Sequence, residues 1–199
     1  TYNERITGTK AEHAYYSTVI NGYHFICLAS EYDHVDAYIS DEQLRWFDAE
    51  MSSAAKDGLP IFVCCHWPIN QTHGLPDTWG FEKDYPPEKG GLGTQSEQVW
   101  NILKQYRNVF YITGHIHSGF TNEFDAKIYK YHSIETVDSV HLVNLPSYSN
   151  MTVRGRIAFG TGYQMEVYSD KVLFRARSFS AGCWYTLYDY EIALESAPT

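Results

Sequence analysis

Hydrophobic and polar residues first fall into an extended pattern at Tyr15-Tyr16-Ser17-Thr18-Val19-Ile20. A second β-rich run, Tyr23-His24-Phe25-Ile26-Cys27-Leu28, follows the dipeptide Asn21-Gly22. Asn-Gly between two such runs favours a tight primed turn, because both residues tolerate positive φ. The pattern predicts a β-hairpin. The period then changes: Leu44, Phe47 and Met51 recur at helical spacing behind Ser40-Asp41-Glu42-Gln43, a capping-box sequence, and Gly58 stops the turn. A helix of about four or five turns fits. Leu59 to Cys65 is a short continuous apolar run, which suits a strand covered on both faces.

From Trp67 to Gly93 periodicity is lost, and Pro, Gly and aromatic residues fill the segment. Loops this long inside compact domains are commonly lids or binding loops. Trp67, His73, Trp79, Lys83 and Tyr85 are the candidates to line such a substrate loop, the alternative being an aromatic loop packed on its own side chains. Thr94-Gln95-Ser96-Glu97 is a second capping-box sequence, ahead of Val99, Ile102 and Leu103 on one helical face. Asn108 to Thr113 reads as the next strand. Beyond it the runs are mostly β, at Ser139 to Leu145, Gly162 to Tyr168 and Lys171 to Phe179, the last two joined at Ser169-Asp170 as a hairpin. Helices alternate with strands early and strands dominate late, so the fold class is α+β.

The 199 residues are 44% hydrophobic, which supplies a real core, and they carry 15 Lys plus Arg against 24 Asp plus Glu, a net charge of −9. That balance argues against nucleic acid as a partner, because affinity there comes largely from neutralised phosphates. No run approaches the roughly 20 apolar residues of a membrane span. Cys27, Cys64, Cys65 and Cys183 form no C-x-x-C pair, and three of them lie in apolar strand-like runs. They read as buried thiols used as small hydrophobes.

Of nine histidines, His13, His24, His34, His132 and His141 have no metal-like company nearby in sequence and read as surface or satisfied core residues. Three differ. His66 comes immediately after the apolar run ending at Cys65, and His115 and His117 come immediately after Val109 to Thr113, with Gly114 at the turn. If the two strands are parallel neighbours, residues just past their ends collect at one rim, where open α/β sheets place ligands. An extended backbone would send His115 and His117 to the same side. Neutral imidazole is the commonest metal ligand and suits Zn, Fe, Mn and Ni. Gly114 would let the chain approach an ion closely, and Pro68 would stiffen the exit from the other strand. Other metal hydrolases also use H-x-H, but one group follows it with D-H where Ser118-Gly119-Phe120 stands here, and another opens its barrel with the motif.

His66-Trp67-Pro68 and Gly114-His115-Ile116-His117 resemble the last two ligand blocks, H-x-P and G-H-x-H, of the calcineurin-like metallophosphoesterases, a group that includes the purple acid phosphatases. Glu42-Gln43-Leu44-Arg45-Trp46-Phe47 resembles the helix that precedes the H-x-P strand in that family. The resemblance is close from about Tyr15 to His117 and loose through the β-rich tail. It implies a four-layer α/β/β/α sandwich with mixed β-sheets. It also implies a binuclear site of Mn, Fe, Zn or similar divalent ions, with His66 and His115 on one ion and His117 on the other. The activity implied is hydrolysis of a phosphomonoester or phosphodiester by attack of a metal-bound hydroxide.

The family's earlier blocks, D-x-H, G-D-x-x and G-N-H-D or G-N-H-E, do not occur here. The resemblance therefore implies that residues 1–199 are the C-terminal portion of a single metallophosphoesterase domain. The bridging aspartate, asparagine ligand and acid histidine would lie in a missing N-terminal part, so no catalytic residue is expected within this chain. Three neutral imidazoles do not offset two divalent ions, so the chain alone should bind metal weakly or not at all and be inactive. The N-terminal half or a second chain should cover an exposed sheet. A reading from a different class is a non-catalytic, aromatic-rich binding module or an inactivated homologue.

Overall fold

A computed structural model of the chain describes residues 13–31, 37–74, 91–148, 155–157 and 159–196. The Asn-Gly hairpin joins β1 (Tyr16–Ile20) to β2 (Tyr23–Cys27), with Asn21 at φ 52° and Gly22 at φ 88° as the primed turn requires. Four further strands complete the first sheet: β3 (Ile61–Cys64), β4 (Val109–Thr113), β5 (Ile134–Val137) and β6 (Val140–Asn144), in the order β1-β2-β3-β4-β6-β5. Strands β2, β3, β4 and β6 are parallel, and the two edges are antiparallel. The second sheet holds β7 (Thr161–Val167), β8 (Lys171–Ser178), β9 (Cys183–Trp184) and β10 (Tyr190–Ala193). Its order is β10-β8-β7, with β9 paired to the end of β8. The class is α+β, with one mixed sheet and one that is antiparallel throughout.

Period-two alternation decides what each face of the first sheet meets. Ile61, Val63, Val109, Tyr111, Val140 and Leu142 pack under helix α1 (Asp41–Ala54) and helix α2 (Ser96–Leu103), which contribute Leu44, Phe47, Met51, Val99 and Leu103. The alternate residues Phe62, Phe110 and Val143 face the second sheet and meet Val172 and Phe174. A run of aromatic rings crosses this interface: Phe25 stacks on Phe62 at 5.0 Å, Phe62 meets Phe110 at 5.3 Å, and Phe110 meets Phe174 at 5.9 Å. The described residues thus supply three layers, α/β/β, of the four that the family resemblance implies. On the outer face of the second sheet, Arg175 and Arg177 stack on Trp184, with their guanidinium carbons 4.2 and 4.7 Å from its ring centroid.

The first capping sequence forms, with a change of partner. Ser40 Oγ accepts from Gln43 N–H at 3.1 Å, but the Ser40 N–H is taken by Glu31. Gln43, fully buried, instead clamps residue Ala29, accepting from its N–H at 3.0 Å and donating to its carbonyl at 2.9 Å. Past α1, a 3-10 turn over Ala55–Asp57 ends at Gly58, whose φ of 66° reverses the chain. The second capping sequence does not form. Thr94 and Gln95 lie in a 3-10 turn, Gln95 offers α2 no side-chain cap, and Ser96 Oγ accepts from Asn70 N–H instead.

Strands β5, β9 and β10 and a third helix, α3 (Glu123–Tyr129), have no counterpart among the sequence expectations. Asn122 caps α3 by accepting from the N–H groups of Phe124 and Asp125. On β1, the terminal strand of the described sheet, Val19 and Ile20 are 56% and 50% exposed. No described helix is long and apolar enough to cross a membrane.

Candidate metal centre

Parallel pairing of β3 with β4 aligns Cys64 with Ile112, so both chains leave the sheet at the same rim. The backbone then ties the two histidine blocks together. Cys65 N–H donates to the Ile112 carbonyl at 3.0 Å, continuing the ladder by one step. The His66 carbonyl accepts from two amides of the other block, His115 N–H at 3.1 Å and Gly114 N–H at 3.3 Å. Beneath them, Tyr111 OH donates to the Trp67 carbonyl at 2.8 Å.

Residues 114–117 are not extended. His117 N–H donates to the Gly114 carbonyl at 3.4 Å and His117 takes a φ of 51°, so the segment is a tight turn. The turn separates His117 from His115 instead of aligning them as alternate strand positions would. A Cβ built on Gly114 would meet no atom within 4 Å, and its φ is not in the left-handed region, so the polypeptide itself does not demand glycine there. Steric demand falls on Gly119, where a Cβ would stand 2.3 Å from the Arg156 carbonyl oxygen.

His66 and His115 are in contact. Their rings are edge-on with centroids 4.9 Å apart, and His115 Nδ1 lies 3.0 Å from His66 Nε2. His115 is 4% exposed; burial, followed by like-charge repulsion from His66 and His117, lowers its pKa to about 3. His66 is open to solvent on one side. The protein around its other side, and then the charge His117 would carry, lower its pKa as well. His117 is therefore within electrostatic reach of both partners. Two neutral imidazoles whose nitrogens approach this closely must share something between them, either one N–H proton or a cation.

The remaining expected residues separate. Trp67 is buried, with its ring 4.9 Å from that of His66 and 6.0 Å from that of His115, so it packs against the pair. Its buried indole N–H has no hydrogen-bond partner among the described residues. His73 is fully buried at a φ of 60°. Its Nδ1 meets the His132 carbonyl at 2.7 Å, its backbone N–H donates to Glu135, and His132 N–H returns a bond to its carbonyl. It anchors the start of the loop. Trp79, Lys83 and Tyr85 lie outside the described residues.

The two ends of that loop are pinned by Asn70, which exchanges side-chain bonds with the Gly93 backbone at 3.0 and 3.2 Å. A cavity of about 650 Å³ opens beside this neck, lined by Asn70, Thr72, Thr94, Glu97, Trp100 and Asp138 among others, and none of the three histidines borders it.

Sequence reasoning passed over the polar support beside the turn. Asn144, fully buried at the end of β6, donates to Tyr131 OH at 2.8 Å and accepts from Thr113 Oγ1 at 3.3 Å. Ser147 N–H donates to the carbonyl of Ser118, the residue after His117, at 2.9 Å. An asparagine closing the apolar run Val140 to Val143, level with Thr113 in the sheet register, was the available signal.

Among the described residues, no group of three or more His, Cys, Asp or Glu side chains is gathered tightly enough to hold a metal ion. The described site is a pair of imidazoles with a third close by. A scan against models of known protein families gives no match to this chain, and a search of curated proteins finds no significant relative.

Proposed function

We propose that this chain carries the histidine ligands of a metal-dependent phosphate ester hydrolase, with His66 and His115 serving one divalent ion and His117 a second. The observation that carries the reading is the 3.0 Å approach of His66 Nε2 and His115 Nδ1 at the ends of adjacent parallel strands. Adjacent corners of an octahedral shell with bonds of about 2.1 Å are about 3.0 Å apart, so the spacing suits two donors on one ion of the Mn or Fe kind. For tetrahedral zinc the corresponding separation is about 3.3 Å, within a small adjustment. Ions bound there would polarise phosphoryl oxygens and lower the pKa of water.

The chain's own contribution is to keep donors ready. Burial holds His115 neutral, so its lone pair is available well into the acid range. The His66 carbonyl, bonded to two amides of the other block, fixes the distance between blocks. Trp67 packs beside both rings and limits their movement. What these residues lack is negative charge, and no described carboxylate joins them. The carboxylates that would offset two divalent ions come, on this reading, from an N-terminal half of the same domain or from a second chain. The substrate class is a phosphate ester.

Titration of the 199-residue chain with Mn²⁺ or Zn²⁺ should show weak binding that His66→Ala and His115→Ala abolish. His24→Ala should leave it intact, since that residue pairs with Asp57 where β2 begins. A longer form supplying the missing carboxylates should hydrolyse an aryl phosphate or phosphodiester and lose most turnover on His115→Ala or His117→Ala. Binding indifferent to His66 and His115 would sink the ligand assignment. Two ions held stoichiometrically by this chain, with turnover, would instead sink the need for a supplement.

A further inference from the structure

A second chemically capable pair stands on the same sheet. Cys27 ends β2 and Cys64 ends β3, and the parallel ladder places them opposite each other in register. Register partners on neighbouring strands point to the same face, with Cα atoms about 4.8 Å apart, inside the range of about 4.4–6.8 Å that a disulfide spans. Leu28 N–H donates to the Cys64 carbonyl at 2.8 Å, which holds the register at this end of the strands.

The two thiols face each other as register partners, and both are partly exposed at the rim. Tyr16, the register partner of Cys27 on β1, flanks Cys27 on the other side. The other cysteines are poorly placed to compete. Cys65 points to the opposite, helix-covered face among Ile26 and Val63, and Cys183 lies in β9 of the second sheet.

We propose that Cys27 and Cys64 form a reversible dithiol–disulfide couple, with Cys27 as the attacking thiol, Cys64 as the resolving thiol and a low-molecular-weight disulfide as the oxidant. The neighbouring Cys64 lowers the pKa of the Cys27 thiol against the opposing effect of burial, which favours Cys27 as the sulfur that attacks first. In the first step the Cys27 thiolate attacks one sulfur of the oxidant, the oxidant's S–S bond breaks, and one thiolate leaves. In the second, Cys64 gives its proton to the departing thiolate and attacks Cys27 Sγ. The mixed disulfide breaks and the second small thiol leaves. Two electrons pass from the cysteine pair to the oxidant, which is reduced to two thiols. The couple stands independently of any metal at the histidines.

The test uses oxidised glutathione on the folded chain, alkylation of remaining thiols, digestion and mass spectrometry. One cross-linked product is expected, joining the Cys27 and Cys64 peptides with loss of two hydrogens and reversed by dithiothreitol. Cys65 should remain free for alkylation after denaturation. Cys64→Ser should stall as a Cys27–glutathione mixed disulfide, and Cys27→Ser should form no cross-link. Cross-links that use Cys65 or Cys183 in place of this pair would overturn the proposal. So would a chain that is folded by circular dichroism yet forms no Cys27–Cys64 link. Because the link is mapped in the unsubstituted chain, the result does not depend on either variant folding.

Discussion

Acid should unfold this protein partly through His115, and the effect can be isolated by replacing that one residue. In the unfolded chain its imidazole titrates near 6.5, whereas in the fold burial, reinforced by His66 and His117, lowers it to about 3. The depressed folded value means the unfolded chain takes up this proton first. The stabilising contribution is therefore fully present above about pH 6.5 and is lost as pH falls toward 3, at about 1.4 kcal/mol for each unit in between. From about pH 6.5 to 4.5 the loss is roughly 2 to 3 kcal/mol, a large share of the ~5–15 kcal/mol typical of a domain.

His66, His73 and His141 are also lowered by burial and push in the same direction, so the total slope of the wild-type chain does not identify His115. The comparison with His115→Asn does, because asparagine keeps a polar group near Nδ1 and does not titrate. Urea unfolding followed by tryptophan fluorescence, in the presence of a chelator, should show the wild-type chain losing roughly 2 kcal/mol more than the variant over this range. Parallel stability curves for the two proteins would refute the assignment of a buried, neutral His115.

Two further substitutions test the packing around the site. Gly114→Ala should change unfolding free energy by less than about 0.5 kcal/mol, while Gly119→Ala, whose new Cβ would stand against the Arg156 carbonyl, should cost about 2 kcal/mol or more in the same urea assay. Equal tolerance at both positions would contradict the described course of the chain after the turn. Gln43→Ala strands the N–H and carbonyl of Ala29 and should cost about 2–4 kcal/mol, read as a shift in urea midpoint at constant slope. A midpoint that does not move would mean that water replaces the clamp.

Much of the framework was legible because local signals agreed with the packing. Asn21-Gly22 sits in the turn its chemistry favours, Gly58 ends the helical segment, and the continuous apolar run around Ile61 to Val63 is buried on both faces. The features that escaped are those in which a distant partner reverses a local preference. Helix α3 leaves Phe124 and Ile128 67% and 54% exposed and buries Asp125, which Arg156 reaches at 2.7 Å. Its apolar periodicity therefore points away from the core. His73 reads as a loop residue, yet it is sealed by the His132 carbonyl and Glu135, about sixty positions away. The positive φ of His117 has no signature in a non-glycine residue, so the turn could not be distinguished from a continued strand.

The approach of His66 to His115 is a consequence of sheet register more than of any contact between the rings. Cys64 aligns with Ile112, Cys65 bonds the Ile112 carbonyl, and the next residue on β3 is the histidine whose carbonyl receives both amides of the second block. A slip of one residue in β3 against β4 would break those bonds and exchange the two faces of the strand. It would carry Phe62 toward the helices and Ile61 and Val63 toward the second sheet. The Phe25–Phe62–Phe110–Phe174 ring contacts oppose that slip, because they fill the space between the sheets only in the present register. The aromatic core and the imidazole pair are thus two ends of one constraint: the rings set the register, and the register sets the distance between the two nitrogens.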